Sequence, residues 1–350
     1  RLEGKFHLFA NRLMNIDSHP SKFRKALSAW YAVAHRPLPW RTEPSLYRTV
    51  VSEFMTQQTK IKTMLPYFDA WMQSFPDFDN LAKAADEDVL KHWEGLGYYS
   101  RARNLHKLAK IYVGLESKPQ SREEWQQLPG IGPYTSAAIS SIALGQANAV
   151  VDGNVVRVLA RLKDDARKFK NNGAAVKAFT TTADDILDGK NPGLHNQAMM
   201  ELGATVCLKN KPLCAICPVA EFCVAKERGT QEERPKIESK TILKVEIDRA
   251  WVRQGNRLLL HHISESSAQL AGQYELPELK MISGANSNKR LLSSQSRSIT
   301  HRRIKEHIYK CNTKDKNDGL LEWVPLGRLE RITLSGPHRR WVRDLLKIDN

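Results

Sequence analysis

Four of the chain's five cysteines fall within 17 residues, as Cys207-x6-Cys214-x2-Cys217-x5-Cys223, and that spacing ties the polypeptide around one point. Four thiolates so close together can wrap one small metal centre. Cys214-Ala-Ile-Cys217 offers two of them from a single tight turn, which Pro212 and Pro218 stiffen. Such clustering argues against a disulfide framework, and Cys311 stands apart. Ligand chemistry alone leaves tetrahedral zinc and a 4Fe–4S cluster both open, since each accepts four cysteines.

Upstream of this loop the apolar residues keep helical spacing almost throughout. Phe23, Ala26, Leu27, Trp30 and Val33 form one stripe, which Pro37 and Pro39 end. Val50, Val51, Phe54 and Met55 form another, and Leu105, Leu108, Ile111, Tyr112 and Leu115 a third. Ser121 and Glu124 make a capping-box pattern. Beyond Gly229 the charged stretch QEERPKIESK reads as a linker, over about 231–242. Short β-like runs follow, among them ILKVEI, NRLLLHHI, EHIYKC and GLLEWVPL. ISGANSNKRLLSSQSRS, rich in Ser and Asn, reads as a loop. The expected organisation is an extension at 1–20, a mainly α core at 21–230 and a smaller α/β domain at 243–350. No run approaches the ~18 apolar residues of a membrane span, and no membrane partner is expected. The first twenty residues carry no obvious secretory signal.

The formal charge of +16 over 350 residues suits a polyanionic partner, with nucleic acid the first candidate. Leu128-Pro-Gly-Ile-Gly-Pro-Tyr-Thr135 sharpens this. Gly130 and Gly132 let the backbone bend and approach a ligand, and the following helix offers its N-terminal amides to a phosphate. This is a helix–hairpin–helix pattern at about 121–145, which holds DNA by its backbone.

Two carboxylates stand out. Glu53 sits beside an apolar face, where desolvation raises a carboxyl pKa and makes a usable general acid; otherwise it is a surface glutamate. Asp152, in Val151-Asp-Gly-Asn154, is either a helix N-cap or free for chemistry. Asn154 is expected to take the capping job, which would release Asp152. Gln57, Gln58 and Thr59 offer groups suited to base edges. Trp93-Glu-Gly-Leu96-Gly-Tyr98-Tyr99-Ser-Arg101 places an apolar tip between glycines, the make-up of a wedge that enters a base stack.

Taken together, LPWR, SEFMTQQT, WEGLGYYSRARNLH, LPGIGPYT, VDGNVVRVLAR, HNQAMMELGATVC and the four-Cys loop closely resemble the endonuclease III/MutY superfamily of DNA glycosylases. The likeness runs in order from about Leu38 to Cys223. It implies a 4Fe–4S cluster on Cys207, Cys214, Cys217 and Cys223. Bifunctional members carry a Lys just after the hairpin, and Tyr134 stands there, which implies a monofunctional enzyme acting as a monomer. SEFMTQQT and the extra C-terminal part are MutY-like. That part, NRLLLHHI…LAGQYELPEL, resembles a Nudix domain without its acidic box.

The resemblance implies removal of adenine opposite 8-oxoguanine or G in double-stranded DNA, in base excision repair. Such work lies in the bacterial cytoplasm, or in a eukaryotic nucleus or mitochondrion. Glu53 would protonate the adenine and later activate water, and Asp152 would stabilise the cationic sugar. Tyr134 and Asn154 would orient them. Trp40, Arg41 and Gln197 would line the adenine pocket, while Gln58, Thr59, Leu96 and Tyr98 would fill the vacated stack. Thr300 and His301 would contact the lesion. Two rivals are a bifunctional pyrimidine glycosylase/lyase and a non-catalytic iron–sulfur DNA-binding protein. Tyr134 counts against the first, and the presence of both Glu53 and Asp152 against the second.

Overall fold

A computed structural model describes residues 13–238, 242–264, 266–267, 270–283, 289–299, 302–313 and 320–348. The chain opens with helices α1 (Pro20–Ala34), α2 (Pro39–Thr42) and α3 (Leu46–Thr56). Next come α4 (Ile61–Ser74), α5 (Phe78–Lys83), α6 (Asp86–His92) and α7 (Ser100–Gly114). The predicted hairpin lies between α8 (Arg122–Gln126) and α9 (Pro133–Ile142). After α10 (Gly153–Leu162) come β1 (Lys168–Phe169), α11 (Asn172–Ile186), α12 (Pro192–Thr205), α13 (Val224–Arg228) and β2 (Lys236–Ile237). The rest is β3 (Leu243–Trp251), β4 (Arg253–Gln254), β5 (Arg257–His262), β6 (Tyr274–Glu275), β7 (Arg290–Ile299), β8 (Arg302–Lys310), β9 (Leu321–Pro325) and α14 (Gly336–Ile348).

Backbone packing divides the chain into two compact units that do not follow linear order. The first joins residues 1–57 to 111–239, and the second joins 58–110 to 240–350. The first unit is built around α10, whose Val155, Val156, Val158, Leu159 and Leu162 are all buried with Phe23, Leu27, Phe179 and Leu202. Ile16 joins this core at 2% exposure, so part of the expected extension is structural. Val33, expected on the apolar stripe of α1, is instead 86% exposed, because the buried face runs through Phe23, Leu27 and Tyr31.

In the second unit β3 pairs parallel with β8, and β7 pairs antiparallel with β8. β5 bonds β4, β6 and β9. Alternation along β5 buries both of its faces: Leu258 and Leu260 pack with Trp341 of α14, and Leu259 packs with Val252 and Leu321. The stretch read as a loop is corrected here, for Arg290–Ile299 is strand β7. Leu292 is its one half-buried apolar residue, packed on the core, and the half-buried places after it go to Ser293, Gln295 and Arg297, so the period of two carried little hydrophobic signal. Among the described residues, no helix is long and apolar enough to cross a membrane.

Candidate active site

Helix α3 is capped by Ser45, whose side chain accepts from the Arg48 amide. Packing buries it nearly all round, with Val50, Val51, Phe54 and Met55 at 1% exposure or less. Glu53 is carried into this apolar setting, and burial pushes its carboxyl up to about 7. A hydrogen bond with Tyr134 and the charge of Arg41 oppose the shift, while the charge of Asp152 adds to it. Its Oε2 is buried with no hydrogen-bond partner among the described residues.

Tyr134 comes from the hairpin. Ser121 and Glu124 close the capping box of α8 as expected. Gly130 turns the chain at φ +77°, a conformation that favours glycine. Gly132 sits at φ −93° and is the N-cap of α9, so its backbone needs no glycine. No side chain caps α9, and Pro133 occupies its first turn. Tyr134 follows, with its hydroxyl 3.4 Å from Met200 Sδ. The Gln57 amide donates to Thr135 Oγ1 at 3.4 Å.

Asp152 itself caps α10, which corrects the expectation that Asn154 would do so. Its φ of −106° and ψ of −176° are extended, as an N-cap requires, whereas Asn154 already lies inside the helix. The carboxylate is not consumed by this duty. Oδ1 accepts from the Val155 amide at 2.7 Å, and Oδ2 accepts from Asn154 Nδ2 at 2.9 Å. Burial raises its pKa, while those bonds and the charge of Arg157 resist. Asn154 Oδ1 accepts from Arg157, which also donates to the carbonyls of Gly203 and Cys207. A Cβ on Gly203 would lie 2.6 Å from Asn154 Cβ, so glycine is what lets α12 approach here.

Arg41 and Gln197 meet through Tyr31. The Tyr31 hydroxyl donates to Gln197 Oε1 at 3.2 Å, and the Arg41 guanidinium lies 5.5 Å from the Tyr31 ring centroid. Arg41 is anchored by Glu201, which the motifs of the sequence did not single out. Its carboxylate is fully buried and accepts from Arg36 at 2.6 and 2.8 Å, with Arg41 at 3.0 Å. Burial acts to raise its pKa, but the two arginines outweigh it and hold the group low. An acid set among Ala198, Met199 and Leu202, four places after Gln197, was the available signal. Trp40 is half-buried on α2.

The second unit carries the remaining positions. Gln58 is exposed at φ +56°, Tyr98 is 42% exposed at φ +50°, and Leu96 is 6% exposed. Arg101 turns inward and donates to the carbonyls of Leu96 and Gly97 and to Thr59 Oγ1. Thr300 and His301 lie outside the described residues.

Cys207, Cys214, Cys217 and Cys223 line one small pocket with Arg161 and Val206. Among the described residues no three His, Cys, Asp or Glu side chains gather as ligands of a single ion. Arg161 is 2% exposed and donates to Cys207 Sγ at 3.2 Å and to the carbonyls of Leu208 and Lys209. Burial and mutual repulsion push Cys217 up to about 12 and Cys223 up to about 11. Four half-buried sulfurs converge here, and the burial that disfavours the thiolates of Cys214, Cys217 and Cys223 is what a cationic metal centre would compensate, so this donor set fits such a group.

Residues 51–175 match the HhH-GPD superfamily of base excision DNA repair proteins. The chain is 41% identical over 241 residues to a human adenine DNA glycosylase, covering 66% of this chain and 43% of that protein. It is 36% identical over 218 residues to one from Buchnera aphidicola, covering 61% of each. The chain spans less than half the length of the mammalian relatives it matches. Among solved structures, a thermostable thymine-DNA glycosylase aligns with TM-score 0.52 at 24% identity, over 60% of this chain and 97% of that one. An endonuclease III bound non-covalently to DNA gives TM-score 0.52 at 19% identity, over 62% and 100%. The fold is thus the helical glycosylase fold, followed by a sheet-containing region. Residues 51–175 thus carry the HhH-GPD domain of base excision DNA repair proteins, and the chain is similar to adenine DNA glycosylases over about two thirds of its length.

Proposed function

We propose that this protein is a monofunctional adenine DNA glycosylase that hydrolyses the N-glycosidic bond of adenine opposite 8-oxoguanine or G. The observation that carries the reading is Glu53, buried with an unpartnered Oε2 and a pKa of about 7, facing Asp152 and Tyr134. A carboxyl poised near neutrality holds a proton to give to a leaving base and can then deprotonate water. Burial raises the pKa of Asp152, but two fixed hydrogen bonds and the nearby Arg157 resist that rise, and its carboxylate would supply negative charge beside a cationic sugar. The Tyr134 hydroxyl cannot form the Schiff base that a lyase needs. Arg41 and Gln197, locked by Tyr31 and Glu201, offer polar groups to a flipped base.

The four cysteines would hold a 4Fe–4S cluster. When bound, it supplies a cross-link that closes the loop between α12 and α13. The sheet-containing region is read as a Nudix-like domain in which Thr300 and His301 contact the lesion. A strand-cleavage assay on duplexes carrying A opposite 8-oxoguanine, A opposite G, and thymine glycol tests the whole reading. Excision of adenine with an intact abasic strand is expected, and cleavage at thymine glycol instead would overturn it.

A further inference from the structure

Within the second unit, α6, α7 and the C-terminal region wall a cavity of about 740 Å³. Its volume lies in the range of roughly 300–1,000 Å³ typical of small-ligand sites. Arg103, Lys107, Lys110, Arg328 and Arg331 line it, against the carboxylates of Asp86 and Glu87. Asp86 is occupied by His106 at 3.1 Å and Lys110 at 3.0 Å, and Arg328 is paired with Glu322 at 3.1 Å. Lys107 and Arg331 are exposed and have no carboxylate partner among the described residues. The balance left over is cationic. The wall also carries an aromatic pair. His262 stacks on Tyr274 at 4.5 Å and 16°, and the Tyr274 hydroxyl donates to Glu322 at 2.7 Å. The plane of the half-buried His262 is therefore fixed. A fixed flat ring beside uncompensated cations matches a base with an attached phosphate.

We propose that this cavity binds one nucleotide unit, its phosphate on Lys107 and Arg331 and its base against His262. The nucleotide is either free in solution or an unpaired residue of a DNA strand. None of these residues belongs to the proposed glycosylase site, so the two readings fail separately.

Titration calorimetry at one fixed salt concentration tests this on the full chain, using deoxyadenosine monophosphate, deoxyadenosine, inorganic phosphate and pentathymidylate. A saturable single site is expected for the monophosphate, the oligonucleotide or both, and whichever binds identifies the source. The double variant Lys107→Glu/Arg331→Glu should weaken binding about ten-fold or more. It should leave single-turnover excision on duplex DNA unchanged. His262→Ala should weaken the nucleotide but not inorganic phosphate. Absence of binding by both nucleotide probes, inorganic phosphate binding as tightly as they do, or insensitivity to the double variant would overturn the proposal.

Discussion

Two buried sites in this molecule, the pair Glu275 and Glu306 and the single acid Glu53, treat their carboxylates in opposite ways. In the second unit, Glu275 and Glu306 share a closed network with Arg249, Arg297 and His338. Arg249 is 2.9 Å from Glu275 and 2.7 Å from Glu306, and Arg297 pairs with both acids. The Leu276 amide donates to His338 Nδ1 at 2.9 Å, which leaves Nε2 to carry the proton toward Glu306. Two arginines against two carboxylates balance. Burial acts to raise Glu275, yet His338 and the arginines bring it down to about 2. In the first unit, Glu53 is as deeply buried but keeps an orphaned oxygen, and its pKa rises to about 7. Burial is common to both places. The supply of partners decides whether a buried acid is a structural anion or a proton donor.

The sharpest test is Glu53→Gln. It should lower single-turnover excision by roughly 10²–10⁴-fold while keeping affinity for mismatched DNA, since the leaving base goes unprotonated. In the unaltered protein the rate should fall as pH rises through about 7, where Glu53 loses its proton. A rate constant level to pH 9 would break the contrast. Glu306→Ala should come next, costing about 3–5 kcal/mol in chemical denaturation because it strands two buried arginines. A loss below about 1 kcal/mol would mean that the network is only ornament to the fold.

Stability should also register the strain on Glu53. Between about 4.5 and about 7 the unfolded chain releases a proton that the folded chain retains. The folded state therefore loses ground as pH rises across that window, by on the order of 3 kcal/mol at most. Glu53→Gln does not ionise, so its stability relative to the unaltered protein should grow from pH 5 to pH 8. The smallest effect belongs to Asp152. Asp152→Ala removes a cap and should cost about 0.5–2 kcal/mol. Asp152→Asn keeps an acceptor for the Val155 amide and should melt near the parent. Both should lose most excision, and an active Asp152→Asn would reduce Asp152 to a cap alone.

What could be read beforehand follows from the same physics. Glu53 was visible because one acid beside Val50, Val51 and Phe54 interrupts an apolar face. The hairpin was visible because Pro-Gly-Ile-Gly has few other uses. Asp152 and Asn154 were assigned the wrong way round because both residue types cap helices, and only the backbone angles separate them. Glu201 was missed because its partners Arg36 and Arg41 lie far away in sequence. Strand β7 was missed because its half-buried arginine answers to Glu275 and Glu306, whose positions a linear pattern does not contain. α14 has an apolar stripe of Trp341, Val342 and Leu345, but it was passed over among runs read as strands.

The discontinuous first unit has a consequence for synthesis. Its α3 emerges from the ribosome well before α9, carrying Val50, Val51, Phe54 and Met55. The packing partner of α3, helix α9, lies beyond residues 58–110, which belong to the other unit. Asp152 appears roughly 100 residues after Glu53, a delay of about 5–20 s at ordinary translation rates. Through that interval the nascent chain must carry a sticky helix without its cover, and a chaperone that shields short apolar segments would find its client there.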